Sequence, residues 1–126
     1  MAWTLDARLP VVIASDSAAL AGALTAGPTA AVLAEAPPPA MPTGAAALAS
    51  FDPVMPHSAG CGCCGGRSPV AAALDRLFQA RVRGACPWFE RVVALAETEE
   101  AREAVAAALR DDAVTAARFR LAPSAA

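Results

Sequence analysis

The stretch LPVVIASDSAALAGALTA, residues 9–26, indicates the fold class. Its first six residues form an apolar run that is rich in β-branched side chains, as is typical of a buried strand. Ser15, Asp16 and Ser17 follow with side chains that can cap a helix, and an alanine-leucine segment then continues to Ala26. The order predicts a strand, a helix cap and a helix, which is the first unit of an α/β domain.

The next part of the chain predicts one more strand and then an irregular connector. Residues 29–34, TAAVLA, form a second apolar run. Residues 35–50 contain four prolines and a glycine, which predicts a connector with at most one helical turn, at 45–49. Residues 51–55 predict a short extended piece that leads into a glycine- and cysteine-rich segment.

After that segment the alternation of helix and strand resumes. Ser68 and Pro69 provide a helix cap and a proline at the first helical position, so we expect a helix that runs to about Val82. Its apolar residues recur at spacings of three and four, which predicts one buried face, with Asp75 among the residues that point away. The residues on this face are Val70, Leu74, Leu77 and Phe78.

The C-terminal third predicts a further strand and further helices. Residues 88–96 read as a strand, and a helix begins at about Thr98 with acidic residues near its positive end. The pair at 111–112 can cap one or two more helical turns before residues 119–121. We therefore expect residues 1–126 to form a single α/β domain, a small mainly parallel sheet flanked by helices.

Composition excludes several classes of function. The formal charge is −2, and the ten basic residues are all arginines, spread from Arg8 to Arg120 without a cluster. Such a chain lacks the basic patch that nucleic-acid binding requires. No apolar run approaches the length of a membrane span, and Asp6 lies where a secretory signal would be basic. We expect a cytoplasmic protein that contacts neither nucleic acid nor membrane.

The segment HSAGCGCCGGR, residues 57–67, has the composition of a metal site. Cys61, Cys63 and Cys64 are too close together to form a disulfide without strain. Zinc and cobalt(II) accept thiolate sulfur and imidazole nitrogen in tetrahedral geometry, and glycines let one loop fold around an ion. We predict a zinc or cobalt site made by the three cysteines, with His57 as the fourth ligand.

Other interpretations of these residues stay open. Water, Asp52 or a partner's side chain could replace His57, which is equally well explained as a solvent-facing loop residue. The three thiols could instead act as a redox device, which would require a pKa well below the ordinary thiol value of about 8.5. Cys86, in the turn before the strand at 88–96, is more simply an apolar packing residue than a ligand.

Four blocks of the sequence resemble the CobW family of metallochaperone GTPases. They are an apolar run at 9–13, the cysteine motif CGCCGGR at 61–67, the strand FERVV at 89–93, and the stretch from 107 to 121, which ends in RFRL. Their order and spacing agree with the family, in which such a cysteine motif precedes an amphipathic helix. The resemblance implies a reduced P-loop GTPase-like domain and a role in metal handling.

The nucleotide-binding elements of that family have no counterpart in this sequence. A phosphate-binding loop needs glycines, a lysine and a Ser or Thr that holds magnesium. Residues 15–23 read SDSAALAGA, and the chain contains no lysine and no asparagine. The family's C-terminal domain also has no counterpart here. We expect a reduced relative that does not hydrolyse GTP and is not an enzyme.

Two main hypotheses of function follow. The first is a metal-binding accessory protein, similar to a chaperone, that hands zinc or cobalt to a receiving enzyme or GTPase. The second is a non-catalytic interaction module that pairs with a complete GTPase or another enzyme through a sheet edge, or that assembles into a homo-oligomer. The first depends on the cysteine segment and the second does not.

Overall fold

The computed structural model describes residues 7–35, 41–52 and 68–122. In these residues strands and helices alternate along most of the chain, which confirms the predicted α/β class. None of the helices in the described ranges is long and apolar enough to cross a membrane. The elements in chain order are β1 (Leu9–Ala14), α1 (Ser17–Thr25), β2 (Ala30–Ala34), β3 (Ala45–Ser50), α2 (Pro69–Arg83), β4 (Arg91–Leu95), α3 (Glu99–Asp111), α4 (Ala113–Arg118) and β5 (Phe119–Leu121).

The strands form one parallel sheet in the order β3-β2-β4-β1-β5. The central strand β4 pairs with β1 and β2, so that Val92 lies opposite both Val11 and Ala31. These three residues are fully buried, as expected for a parallel sheet covered on both faces. The prediction of a mainly parallel sheet is confirmed for the described strands.

Helices cover the two faces of the sheet unequally. On one face, Leu20 and Ala23 of α1 pack against Val32 and Val93. On the other face α2 and α3 supply the larger core, in which Leu74 and Val105 are fully buried. Of the helices that the structure describes, α1 is the one that packs on the first face.

Polar side chains begin each helix where the sequence predicts a cap. Asp16 Oδ1 accepts a hydrogen bond from the Ala19 amide at 2.7 Å. Ser68 and Thr98 cap α2 and α3 through their hydroxyl oxygens in the same way. Asp112 caps α4. Each cap satisfies an amide that would otherwise lack a partner at the helix start, which explains why these boundaries were predictable.

The connector predicted at 35–50 is wrong in its second half. Residues Ala45–Ser50 form β3, which pairs in parallel with β2 at the edge of the sheet, and no helical turn forms at 45–49. Alanine has a high helix propensity, so the sequence AAALAS gives little local indication of a strand. Pairing with the buried strand β2 overrides that preference. Residues 36–40 and 53–55 lie outside the described residues.

Two smaller predictions also need correction. β4 begins at Arg91, whereas the apolar pattern predicted a strand from residue 88. Trp88 is 60% exposed, and the Arg81 guanidinium stacks 3.4 Å above the centre of its ring. Asp75 does not simply point to solvent. Its carboxylate accepts a hydrogen bond from Arg118 at 2.6 Å and ties α2 to α4.

Candidate functional site

The carboxyl edge of the sheet contains the point at which the strand order reverses. After β1 the chain crosses β4 to reach β2, and after β4 it crosses β1 to reach β5 on the other side. The last residues of β1, β2 and β4 are level with one another, because Leu95 lies opposite both Ala14 and Ala34. Open α/β sheets bind ligands at such a position, which makes this edge the candidate functional site.

The loops that leave this edge carry acidic residues. Asp16, Glu35, Asp52 and Glu97 each follow the end of a different strand within two positions. Glu35 fastens two of the loops together, since its carboxylate accepts hydrogen bonds from the Glu97 amide at 2.7 Å and from the Thr98 hydroxyl at 2.6 Å. The edge is therefore acidic, and the start of α3 is held in place across it.

The start of α1 is arranged unlike a phosphate-binding loop. Phosphate-binding helices leave their first amides free to approach the anion. In this chain the Asp16 carboxylate accepts from the Ala19 amide, and the Asp16 carbonyl accepts from Leu20 at 3.0 Å. A carboxylate already occupies the positive end of the helix, so a phosphate would meet a negative charge there.

The predicted metal ligands lie outside the described residues. His57, Cys61, Cys63 and Cys64 belong to the segment 53–67, so the metal-site prediction stays a prediction. In the described ranges, no group of three or more His, Cys, Asp or Glu side chains could hold a metal ion.

The described residues on either side of this segment show where it is attached to the sheet. Asp52 follows the carboxyl end of β3, and Ser68 caps the start of α2. The end of α2 lies at the opposite, amino edge, because Arg81 Nε donates to the Phe89 carbonyl at 2.7 Å just before β4 begins. Both flanks are thus attached at the carboxyl edge, the edge that also contains the reversal of strand order.

The fourth cysteine, Cys86, is separate from this edge. It lies between α2 and β4, is free and half-buried, and packs against the core on the α2 face. This agrees with the prediction that it is a packing residue. Because Cys86 is at the amino edge, it provides an internal control for experiments on the other three thiols.

Glu35 is the site residue that the sequence did not reveal. Its only local signal is an acidic side chain directly after a buried strand, and its partners Glu97 and Thr98 are distant in sequence. No protein-family model, curated protein or solved structure matches this chain. The likeness to the CobW family therefore rests on the quoted residues alone.

Proposed function

We propose that this protein binds a zinc or cobalt(II) ion through the thiolates of Cys61, Cys63 and Cys64, with His57 as the fourth ligand. The observation that carries the proposal is the presence of three cysteines within four consecutive positions of a glycine-rich segment. Three thiolates and one imidazole suit either metal, and their mutual distances along the chain allow a single loop to supply them.

The proposed role is to hand the ion to a partner rather than to use it in catalysis. A structural zinc site usually joins distant chain segments through separated ligand pairs. Ligands from one loop leave the ion more accessible to exchange, which suits delivery to an enzyme or a GTPase. A cytoplasmic location would keep the thiols reduced.

Two features support the absence of GTP hydrolysis, and a third suits metal binding. The chain has no lysine that could reach a phosphate. The amide that would face a phosphate at the start of α1 is already bonded to Asp16. The flanks of the cysteine segment, Asp52 and Ser68, both lie at the carboxyl edge, where ligands of α/β sheets commonly bind.

Metal content of purified variants tests the proposal. Wild type, a triple variant with Cys61→Ser, Cys63→Ser and Cys64→Ser, and the control Cys86→Ser are dialysed against zinc or cobalt and then analysed for bound metal. We expect about one ion per chain in wild type and in Cys86→Ser, and none in the triple variant. With cobalt, we also expect thiolate-to-metal charge-transfer absorption, which the triple variant lacks.

The outcome that contradicts the proposal is equal metal content in wild type and the triple variant. His57→Gln separates the fourth ligand from the other three. If the imidazole binds the ion, this variant keeps the cobalt-thiolate absorption but loses affinity. Unchanged affinity would assign the fourth position to water, Asp52 or a partner.

The second candidate function is a non-catalytic interaction module, and the position of β3 favours it. This strand lies at the edge of the sheet and contains only alanine, leucine and serine. Edge strands without charged residues can pair with a strand of another chain. Size-exclusion chromatography before and after chelation separates the two functions, because an oligomer that persists in wild type and in the triple variant would depend on the sheet and not on the metal.

A further inference from the structure

We propose that a cavity between α1 and the sheet binds a small, uncharged apolar molecule. The cavity has a volume of about 430 Å³ and lies on the face that α1 covers. It is separate from the cysteine segment, so the inference does not depend on metal binding. Its principal walls are formed by Leu20, Leu24, Val32, Leu95, Pro42 and Thr43.

The cavity results from the unequal covering of the sheet. Five strands at about 4.8 Å spacing make a sheet about 19 Å across, whereas a helix with its side chains is about 10 Å wide. α1 packs over β4 and β1 and also against Val32 of β2, which is fully buried, so the remaining space lies beside α1, next to the turn at Pro42 and Thr43. The turn before β3 closes one end, since a Cβ atom on Gly44 would lie 3.7 Å from Leu24 Cβ.

The size and lining of the cavity suit a small molecule. Ligand pockets typically have volumes of about 300–1,000 Å³ and are lined mainly by apolar side chains with a few polar groups. Leu20 and Leu24 lie one helical turn apart on α1 and line the cavity, together with Val32 of β2, which packs in the same cluster as Leu20. The hydroxyl of Thr25 donates to the Gly22 carbonyl of its own helix, which leaves this part of the wall largely apolar.

The charges around the cavity favour an uncharged ligand. No charged side chain is among the described residues that line it, so a charged group would lose its hydration without a partner. Asp16 and Glu35 directly adjoin the lining residues Ser17 and Ala34 and place negative charge near one end. An anion is therefore disfavoured twice, by desolvation and by repulsion.

A fluorescence titration with N-phenyl-1-naphthylamine, a neutral apolar probe, tests the proposal. The exposed residue Ala21 lines the cavity, and Ala18 on the same helix is equally an exposed alanine but does not line it. We expect saturable binding to wild type, a Kd raised roughly tenfold by Ala21→Leu, and a change within about twofold for Ala18→Leu. Circular dichroism checks that both variants are folded, and Thr43→Leu fills the cavity from its other wall if Ala21→Leu does not fold.

Several results would overturn the proposal. One is the absence of saturable probe binding to wild type, and another is equal weakening by Ala21→Leu and Ala18→Leu. Tighter binding of 1-anilinonaphthalene-8-sulfonate, which adds a sulfonate to the same ring system, would show that the site prefers an anion. Sedimentation that finds a wild-type dimer and an Ala21→Leu monomer would assign the cavity to a second copy of the chain instead.

Discussion

Arg91 fixes the end of α1 to the sheet. Its side chain is largely buried, and its guanidinium donates hydrogen bonds to the carbonyls of Ala23 at 2.5 Å, Ala26 at 2.8 Å and Pro28 at 2.9 Å. Carbonyls at the end of a helix lack partners within the helix and form the negative end of its dipole. One cation therefore satisfies several acceptors that the chain would otherwise bury unpaired.

Arg91→Met should lower the free energy of unfolding by about 2–4 kcal/mol, because it leaves these carbonyls without a donor. Arg91→Lys should lower the free energy of unfolding by less, because lysine keeps the positive charge. Some loss should remain, since lysine lacks the planar group that reaches several acceptors. Urea denaturation followed by circular dichroism measures both. The exposed Arg83→Met serves as control and should change stability by less than about 0.5 kcal/mol. A loss for Arg91→Met no larger than that of the control would contradict this assignment.

α4 is a short element that depends on side chains from α2 and β5. A helix of six residues is too short to be stable by itself. Arg118 donates to Asp75 at 2.6 Å and its guanidinium lies 4.2 Å above the Phe78 ring. Phe78 in turn meets Phe119 edge-on, with ring centres 6.1 Å apart. These contacts set the position of α4 and, through it, the start of β5.

Arg118→Ala should lower the free energy of unfolding by about 1–2 kcal/mol, because it removes a partly buried ion pair and a contact with an aromatic ring. A double-mutant cycle with Asp75→Ala should give a coupling of about 1 kcal/mol. The comparison is Arg110→Ala, whose ion pairs with Glu103 and Asp111 are exposed to solvent, so this variant should lose clearly less stability than Arg118→Ala. A coupling near zero would mean that Arg118 acts through Phe78 alone.

Most elements were predictable because their signals are local. β1, β2 and the helix starts at Asp16, Ser68 and Thr98 follow from apolar runs and capping side chains. β3 was not predictable, because six residues rich in alanine have no strong strand preference and become a strand only by pairing with β2. The strand order was not predictable either, since it depends on contacts between distant segments.

At the scale of the whole molecule, the local features of the candidate site could be predicted from the sequence, whereas its contacts between distant segments could not. Residue types and spacing are sufficient to nominate Cys61, Cys63, Cys64 and His57 as ligands, because metal chemistry is read from local composition. The contact of Glu35 with the start of α3 depends on the register of two strands that are about 60 positions apart. No local pattern contains that information.

Because the proposed metal ligands are close together in sequence, we expect a bound metal ion to stabilise the fold only weakly. Zinc at about 100 times its Kd stabilises a protein that binds only when folded by about 2.7 kcal/mol. The proposed ligands lie within residues 57–64, so the unfolded chain can gather them too, and we expect a gain of under about 1 kcal/mol. Urea denaturation of wild type and the triple cysteine variant, with and without zinc, measures this gain in the free energy of unfolding. A gain near 2.7 kcal/mol would indicate a ligand from the folded domain, such as Asp52.

The strand order also determines when β1 can join the sheet during synthesis. Of the strands that the structure describes, β1 leaves the ribosome first, yet its neighbours are β4 and β5, the last two of these strands to be made. At typical elongation rates this apolar strand waits on the order of 10 s for β4 to emerge, while β2 and β3 can already pair. Until then Val11, Val12 and Ile13 are a hydrophobic segment of the kind that chaperones hold on nascent chains.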